Sequence, residues 1–171
     1  SNEILPYEIE AFPGRAFYEN TGETKRFGFE FFGSYKNNSW EFIASLTEAS
    51  YQFSGENIMS KKYLPGVPGR QIYLQVGYFL EKNWTIQLKG EHVGSFFANN
   101  SNTVQIDSFQ KIRVQAAKSF RVNKMKISLS GGINNLLNVR YFDNIRLNAF
   151  GGRFYEPAPG RNAYFGINIG I

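Results

Sequence analysis

Six side chains between positions 140 and 155 carry the chemistry most suited to a ligand: Arg140, Arg146, Phe150, Arg153, Phe154 and Tyr155. Guanidinium forks grip multi-oxygen anions through paired hydrogen bonds, and aromatic planes stack on flat rings and cations. Placed together in one loop, the two types suit an anionic, aromatic or catecholate-like group. The same arginines could equally contact phosphates of a neighbouring surface or simply tie their loop to its neighbours.

The remaining reactive types are less suggestive. His92 is the only histidine in a chain with no cysteine, so no metal-ligand set is visible and it reads as a rim residue. Nothing holds two of Glu30, Glu41 and Glu91 at a catalytic separation. They read as charges answering Lys36, Lys89, Lys111 and Arg113 across neighbouring strands. Gly131-Gly132 and Gly151-Gly152 lack the strand-turn-helix setting of a phosphate loop. No hydroxyl or amine has a base poised beside it. The sequence therefore predicts no enzyme and no cofactor.

The elements that must position these residues alternate with period two. Phe27, Phe29, Phe31, Gly33 and Tyr35 share one face of a long strand, and Trp40, Phe42, Ala44 and Leu46 one face of its return. Ile72 to Leu80, Trp84 to Gly90, Ile112 to Ala116 and Met125 to Ile133 repeat the pattern, and Arg161 to Ile171 (RNAYFGINIGI) closes it. A short extended piece interrupted by Pro6 spans Ile4 to Glu10, and Phe12 to Thr24 reads as loop. About eight strands result, joined alternately by short turns and long loops, of which 138–160 is the longest. No helical period competes.

Composition narrows the class. At 171 residues with 17 Phe and 17 Gly the chain suits one sheet-built unit over 1–171. Its net charge of +5 is scattered, without the basic stripe of a nucleic-acid binder. No run of 18 apolar residues exists, which excludes a membrane helix and leaves a membrane barrel open.

Alternation alone is shared by soluble barrels, apolar inside, and outer-membrane barrels, apolar outside. Three features favour the second. The strands are long enough for a tilted crossing. Trp40, Trp84, Tyr35 and Tyr78 fall near the short turns, where an interfacial girdle belongs. The opposing face is rich in Gly, Ser, Asn, Gln and Thr, as a wet lumen would be, although Phe32, Ile43, Tyr73 and Phe79 also lie there.

Several motifs sharpen this. Asn135-Leu136-Leu137-Asn138 leads to Arg140-Tyr141, Glu156-Pro157-Ala158-Pro159-Gly160-Arg161 precedes the last strand, and Asn20 to Glu30 reads NTGETKRFGFE. In these stretches the sequence resembles the C-terminal part of TonB-dependent outer-membrane receptors, especially ferric-siderophore receptors. The family ends in an aromatic residue where this chain has Ile171. The resemblance implies an all-β, antiparallel transmembrane β-barrel in the cell outer membrane, with this chain as about eight strands from the C-terminal part of a larger barrel. Ser1-Asn2, with no initiator Met, reads as a cloning scar or a cut made inside a longer protein. Implied partners are outer-membrane lipid and lipopolysaccharide, a metal-chelate ligand such as a ferric siderophore, and TonB, contacted through N-terminal regions these residues do not include. Two other readings stand beside it: a complete eight-stranded outer-membrane barrel with a structural or adhesion role, and a soluble β-barrel holding an apolar ligand.

Overall fold

The computed structural model describes residues 2–54 and 61–170. Eight strands form one antiparallel sheet: β1 (Asn2–Tyr7), β2 (Phe17–Lys36), β3 (Trp40–Phe53), β4 (Arg70–Leu80), β5 (Trp84–Val93), β8 (Phe109–Val122), β9 (Met125–Asn134) and β12 (Asn162–Gly170). Each pairs with its neighbour in chain order. Two small ribbons decorate the long connections, β6 (Phe96–Phe97) with β7 (Gln105–Ile106) and β10 (Phe142–Ile145) with β11 (Tyr155–Pro157). Ile171 and the middle of the β3–β4 loop lie outside the described residues. Among the described residues no ladder joins β1 to β12, so the outer edges of these two strands face away from the sheet's other members.

The turns follow from asparagine. Among the described residues, six of the seven non-glycine positions with positive φ are Asn, including Asn83 and Asn123 in the short turns, because a short polar side chain tolerates the left-handed region. In the β2–β3 turn the Asn37 side-chain oxygen accepts the amides of Ser39 (2.9 Å) and Trp40 (2.7 Å). All three short turns fall at one end of the sheet, and the long loops at the other.

Two boundaries differ from the sequence reading. Phe17–Thr24, rich in turn-forming residues, is strand, because it pairs with β1 on one side and its last residue, Thr24, pairs with Phe53 of β3 on the other. Tertiary pairing overrides local propensity there. The 138–160 loop is also not structureless: β10, β11 and a 3₁₀ turn at Phe150–Gly152 give it its own scaffold.

Register aligns one face across the sheet. Phe31 opposes Leu46, Leu46 opposes Ile72, Val76 opposes Leu88, Leu88 opposes Val114, and Ile133 opposes both Val114 and Ala163. Residues directly opposite share a face, so the expected apolar rows merge into one surface. On that surface Phe27 is 80% exposed and Phe165 70%. On the opposing face Gln75 is 8% exposed. Phe32, on that same face, is 70% exposed, so side-chain type rather than accessibility separates the two faces. One is aromatic and aliphatic, the other rich in charged and amide groups, the arrangement of a barrel with hydrocarbon outside and water inside.

The girdle assembles as expected. Trp40 lies 4.5 Å from Tyr78 and stacks on Phe42 at 5.8 Å, which in turn meets Tyr35. Close approach elsewhere requires glycine. A Cβ on Gly132 would stand 2.6 Å from the Val114 carbonyl oxygen and 2.8 Å from the Tyr164 hydroxyl, so the Tyr164 ring lies across a position where no side chain fits.

Arginine substitutions test the facing. Leu74→Arg or Val114→Arg, both on the apolar face in the middle of their strands, would set a guanidinium in hydrocarbon at about 2–4 kcal/mol near the midplane, whereas Ser130→Arg adds a cation to the polar face. Heat-modifiable gel mobility should show impaired folding for the first two and near-normal folding for the third. Equal folding of all three would invert the assignment.

Candidate functional site

The inward face carries an ordered polar network. Lys36 pairs with Glu41 at 3.3 Å, and the second Glu41 oxygen accepts the Gln75 amide at 2.9 Å. Gln75 in turn accepts the Tyr73 hydroxyl at 2.7 Å. Glu91 and Lys111 pair at 2.9 Å. The Ser119 and Ser128 hydroxyls meet at 2.8 Å, and Asn134 donates to Asn162 at 3.0 Å. Two of the three glutamates thus answer lysines as the sequence suggested. Glu30 instead faces Thr47, and Lys89 faces Arg113. The inward aromatics fit this face too, since the Lys36 ammonium lies 4.8 Å over the Phe79 ring. His92 points the other way, opposite Ile72 and Gln110 on the apolar face near the long-loop end.

At the long-loop end the connections are stitched together. One small core unites Ala98, Ile106, Ala149 and Phe154, and a second unites Leu5, Phe53 and Leu64. Asn148 is the knot. Its side chain donates to the Pro6 carbonyl (2.9 Å) and to the Asn100 side chain (3.1 Å), and accepts the Asn100 amide (2.8 Å). Its backbone N–H donates to the Ala98 carbonyl, and its carbonyl accepts the Glu8 amide. Asn102 does the same between loops, accepting the Tyr63 amide at 2.7 Å and donating to the Tyr63 carbonyl at 2.9 Å.

The six loop residues singled out from sequence divide. Arg146 is engaged by Glu156 at 3.2 Å and so ties β10 to β11. The Phe154 ring is buried in the loop core, which corrects its place among surface contacts. Tyr155 stacks on Phe142 at 4.5 Å with part of its ring open. Phe150 is exposed in the 3₁₀ turn, and Arg140 and Arg153 are exposed and form no ion pair among the described residues.

The Asn-Leu-Leu-Asn and Gly-Arg motifs are a clasp. Asn135, at φ 49°, donates to the Val139 carbonyl (2.8 Å) and accepts the Val139 amide (2.9 Å). Asn138 accepts the Arg161 amide at 2.9 Å, beside Gly160. The exit of β9 and the start of β12 are thereby held together around the intervening loop. The role is structural, and the side-chain amides satisfy backbone groups that no ladder reaches.

Two cavities were not legible in the sequence. One of about 340 Å³ lies between the β3–β4 and β5–β8 loops, lined by Tyr51, Tyr63, Leu64, Val67, Phe96 and Phe97. The other, about 300 Å³, lies on the polar face where Lys89, Arg113 and Tyr141 meet. The adjacent Phe96-Phe97 was the available signal for the first, but the loop it faces could not be known.

An antiparallel up-and-down sheet with an apolar face, an aromatic girdle, a hydrogen-bonded polar face and long loops at one end defines the wall of a transmembrane β-barrel. The family model described as "TonB dependent receptor-like, beta-barrel" matches residues 2–136, and the chain belongs to that family. Its members are receptors, not enzymes. The fold is similar to that of the siderophore receptor PiuA from Acinetobacter baumannii, 23% identical, covering 95% of this chain and 23% of that one, TM-score 0.71. It is similar also to the ferric preacinetobactin receptor BauA from Acinetobacter baumannii (19% identical, 98% and 25% covered, TM-score 0.68). The ferric yersiniabactin uptake receptor FyuA from Yersinia pestis is a third (17%, 90% and 24%, TM-score 0.72). The chain spans about a quarter of the length of these receptors.

The loop hairpin should respond to acid. The Asn144 amide and the Arg146 guanidinium hold the Glu156 carboxyl below its ordinary value of 4.5. A carboxyl lowered in the folded state contributes stability above its unfolded pKa, and that contribution is lost as pH falls through the folded value. Amide exchange or proteolysis across 142–157 should accelerate below about pH 4.5. Glu156→Gln should remove the pH dependence; an unchanged acid response in that variant would assign it elsewhere.

Proposed function

We propose that this chain contributes wall and external loops to an outer-membrane, TonB-dependent receptor that takes up a metal chelate such as a ferric siderophore. The two-faced sheet carries the reading: an aromatic and aliphatic face with a girdle at one end, and a hydrogen-bonded polar face, suit hydrocarbon outside and water inside. Family membership and the names of its structural neighbours supply the ligand class. The loop end supplies the means, because hydrogen-bonded loops enclose an aromatic crevice and carry the exposed Arg140 and Arg153. Energy coupling through TonB and the movement of a plug belong to the whole receptor.

The two rival readings lose support on specific grounds. A soluble barrel has no use for the Trp40, Phe42 and Tyr78 belt that marks the short-turn end of the apolar face. A complete narrow barrel needs β1 and β12 to pair, and no such ladder joins the described residues.

Spin labels at Phe29, Phe42, Leu74, Ile86, Val114, Ile127 and Ile167 should be relaxed more by lipid-soluble oxygen than by a water-soluble nickel complex. The opposite ranking would put these residues in the lumen and sink the outer-membrane placement. For the ligand, ferric catecholate, ferric hydroxamate and ferric citrate titrated into the protein in detergent should give saturable binding for at least one class. Arg140→Ala and Arg153→Ala should then each weaken it about tenfold, the usual worth of a charged hydrogen bond. Arg146→Ala should cost less, since its fork is already occupied. No binding of any class, or no response to the two alanine variants, would remove these arginines from the uptake site.

A further inference from the structure

We infer that Lys118 and Trp84 form a binding notch for the headgroup of an anionic phospholipid at the short-turn rim of the wall. The inference rests on the outward facing proposed above and goes on to name a specific lipid contact. Lys118 opposes Trp84 on β5 and Leu129 on β9, which places it in the outward rows with Val114 and Ala116. Below the Glu48–Arg70 ion pair toward the short turns, it is the one charged side chain on those rows among the described residues.

A lysine in an apolar row must carry its ammonium to the interface, and the aliphatic stem allows it to do so. Here the ammonium lies 5.1 Å from the Trp84 ring centroid, within cation–π range. Trp84 is half open and belongs to the girdle that marks the membrane boundary. The ring face satisfies one side of the cation. Among the described residues Lys118 has no carboxylate partner, so its other side is free for an anion. Lys124, exposed in the β8–β9 turn, adds positive charge at the same end. The adjoining apolar surface of Ile86, Leu88 and Leu129 is continuous with the notch and suits the acyl chains of the same molecule. Charge on the headgroup side and hydrocarbon on the chain side together fit a phosphodiester lipid rather than a free anion.

The two tryptophans both lie at this rim, so Trp40→Phe leaves Trp84 as a local reporter. In nanodiscs, quenching of Trp84 by brominated phosphatidylglycerol should exceed quenching by brominated phosphatidylcholine with an apparent preference of about fivefold, the scale of one basic residue near an anionic surface. Lys118→Gln should bring the preference close to unity, and Lys118→Arg should keep it. Equal quenching by the two lipids, or a preference that survives Lys118→Gln, would overturn the notch while leaving the facing intact. Absence of quenching by either lipid would instead refute the outward facing, and the notch with it. Loss of the preference on adding inorganic phosphate at constant ionic strength would assign the site to a small free anion and overturn the lipid assignment.

Discussion

A backbone amide in hydrocarbon has no water to bond, and each one left unpaired costs several kcal/mol. Everything in this chain answers to that constraint. Strand follows strand in antiparallel order from β1 to β12, so β3, β4, β5 and β9 find partners on both sides that are near in sequence, while β2 pairs with β1 over Phe17–Glu23 and with β3 over Thr24–Lys36. Side chains are then free to alternate, apolar toward lipid and polar toward water, because the ladder needs nothing from them.

Above the membrane the same problem returns in another form. Long connections cannot join the ladder, yet they fold over one another and enclose their own peptide groups. Asparagine supplies the answer repeatedly. Asn135 and Asn138 close the base of the longest loop, and Asn148 and Asn102 bind one loop to the next. A side-chain amide offers a donor and an acceptor at the spacing of a peptide group, so one residue can replace two missing backbone partners. The loop cores around Phe154 and Phe53 are small, and these polar knots give them their definition.

The strand faces were legible because period two is a local property: Phe27, Leu74, Ile127 and Ile167 announce their shared side without knowledge of any partner. The girdle was legible for the same reason, from Trp40 and Trp84 beside their turns. Contacts between distant loops were not. Phe154 reads as a surface aromatic until Ala98 and Ile106, some 50 residues earlier, are seen to enclose it. Arg146 reads as a free fork until β11 returns Glu156 to it. Phe17–Thr24 looks like loop because its strand character comes from the neighbours that flank it. Position within an element could be read from the chain; commitment of a side chain to another loop could not.

The unbroken meander makes the hairpin a unit of growth. Each pair such as β4–β5 enters and leaves the sheet at its long-loop end and turns at its other end. A wall of this kind can therefore gain or lose strands two at a time without altering the direction, neighbours or facing of any strand that remains. Each such step changes the circumference by about two interstrand spacings, roughly 10 Å before tilt, and the bore widens in proportion to strand number. Aperture in this architecture is thus countable in hairpins, and duplication of a single hairpin is a route by which a narrow pore becomes a wide one with its chemistry otherwise unchanged.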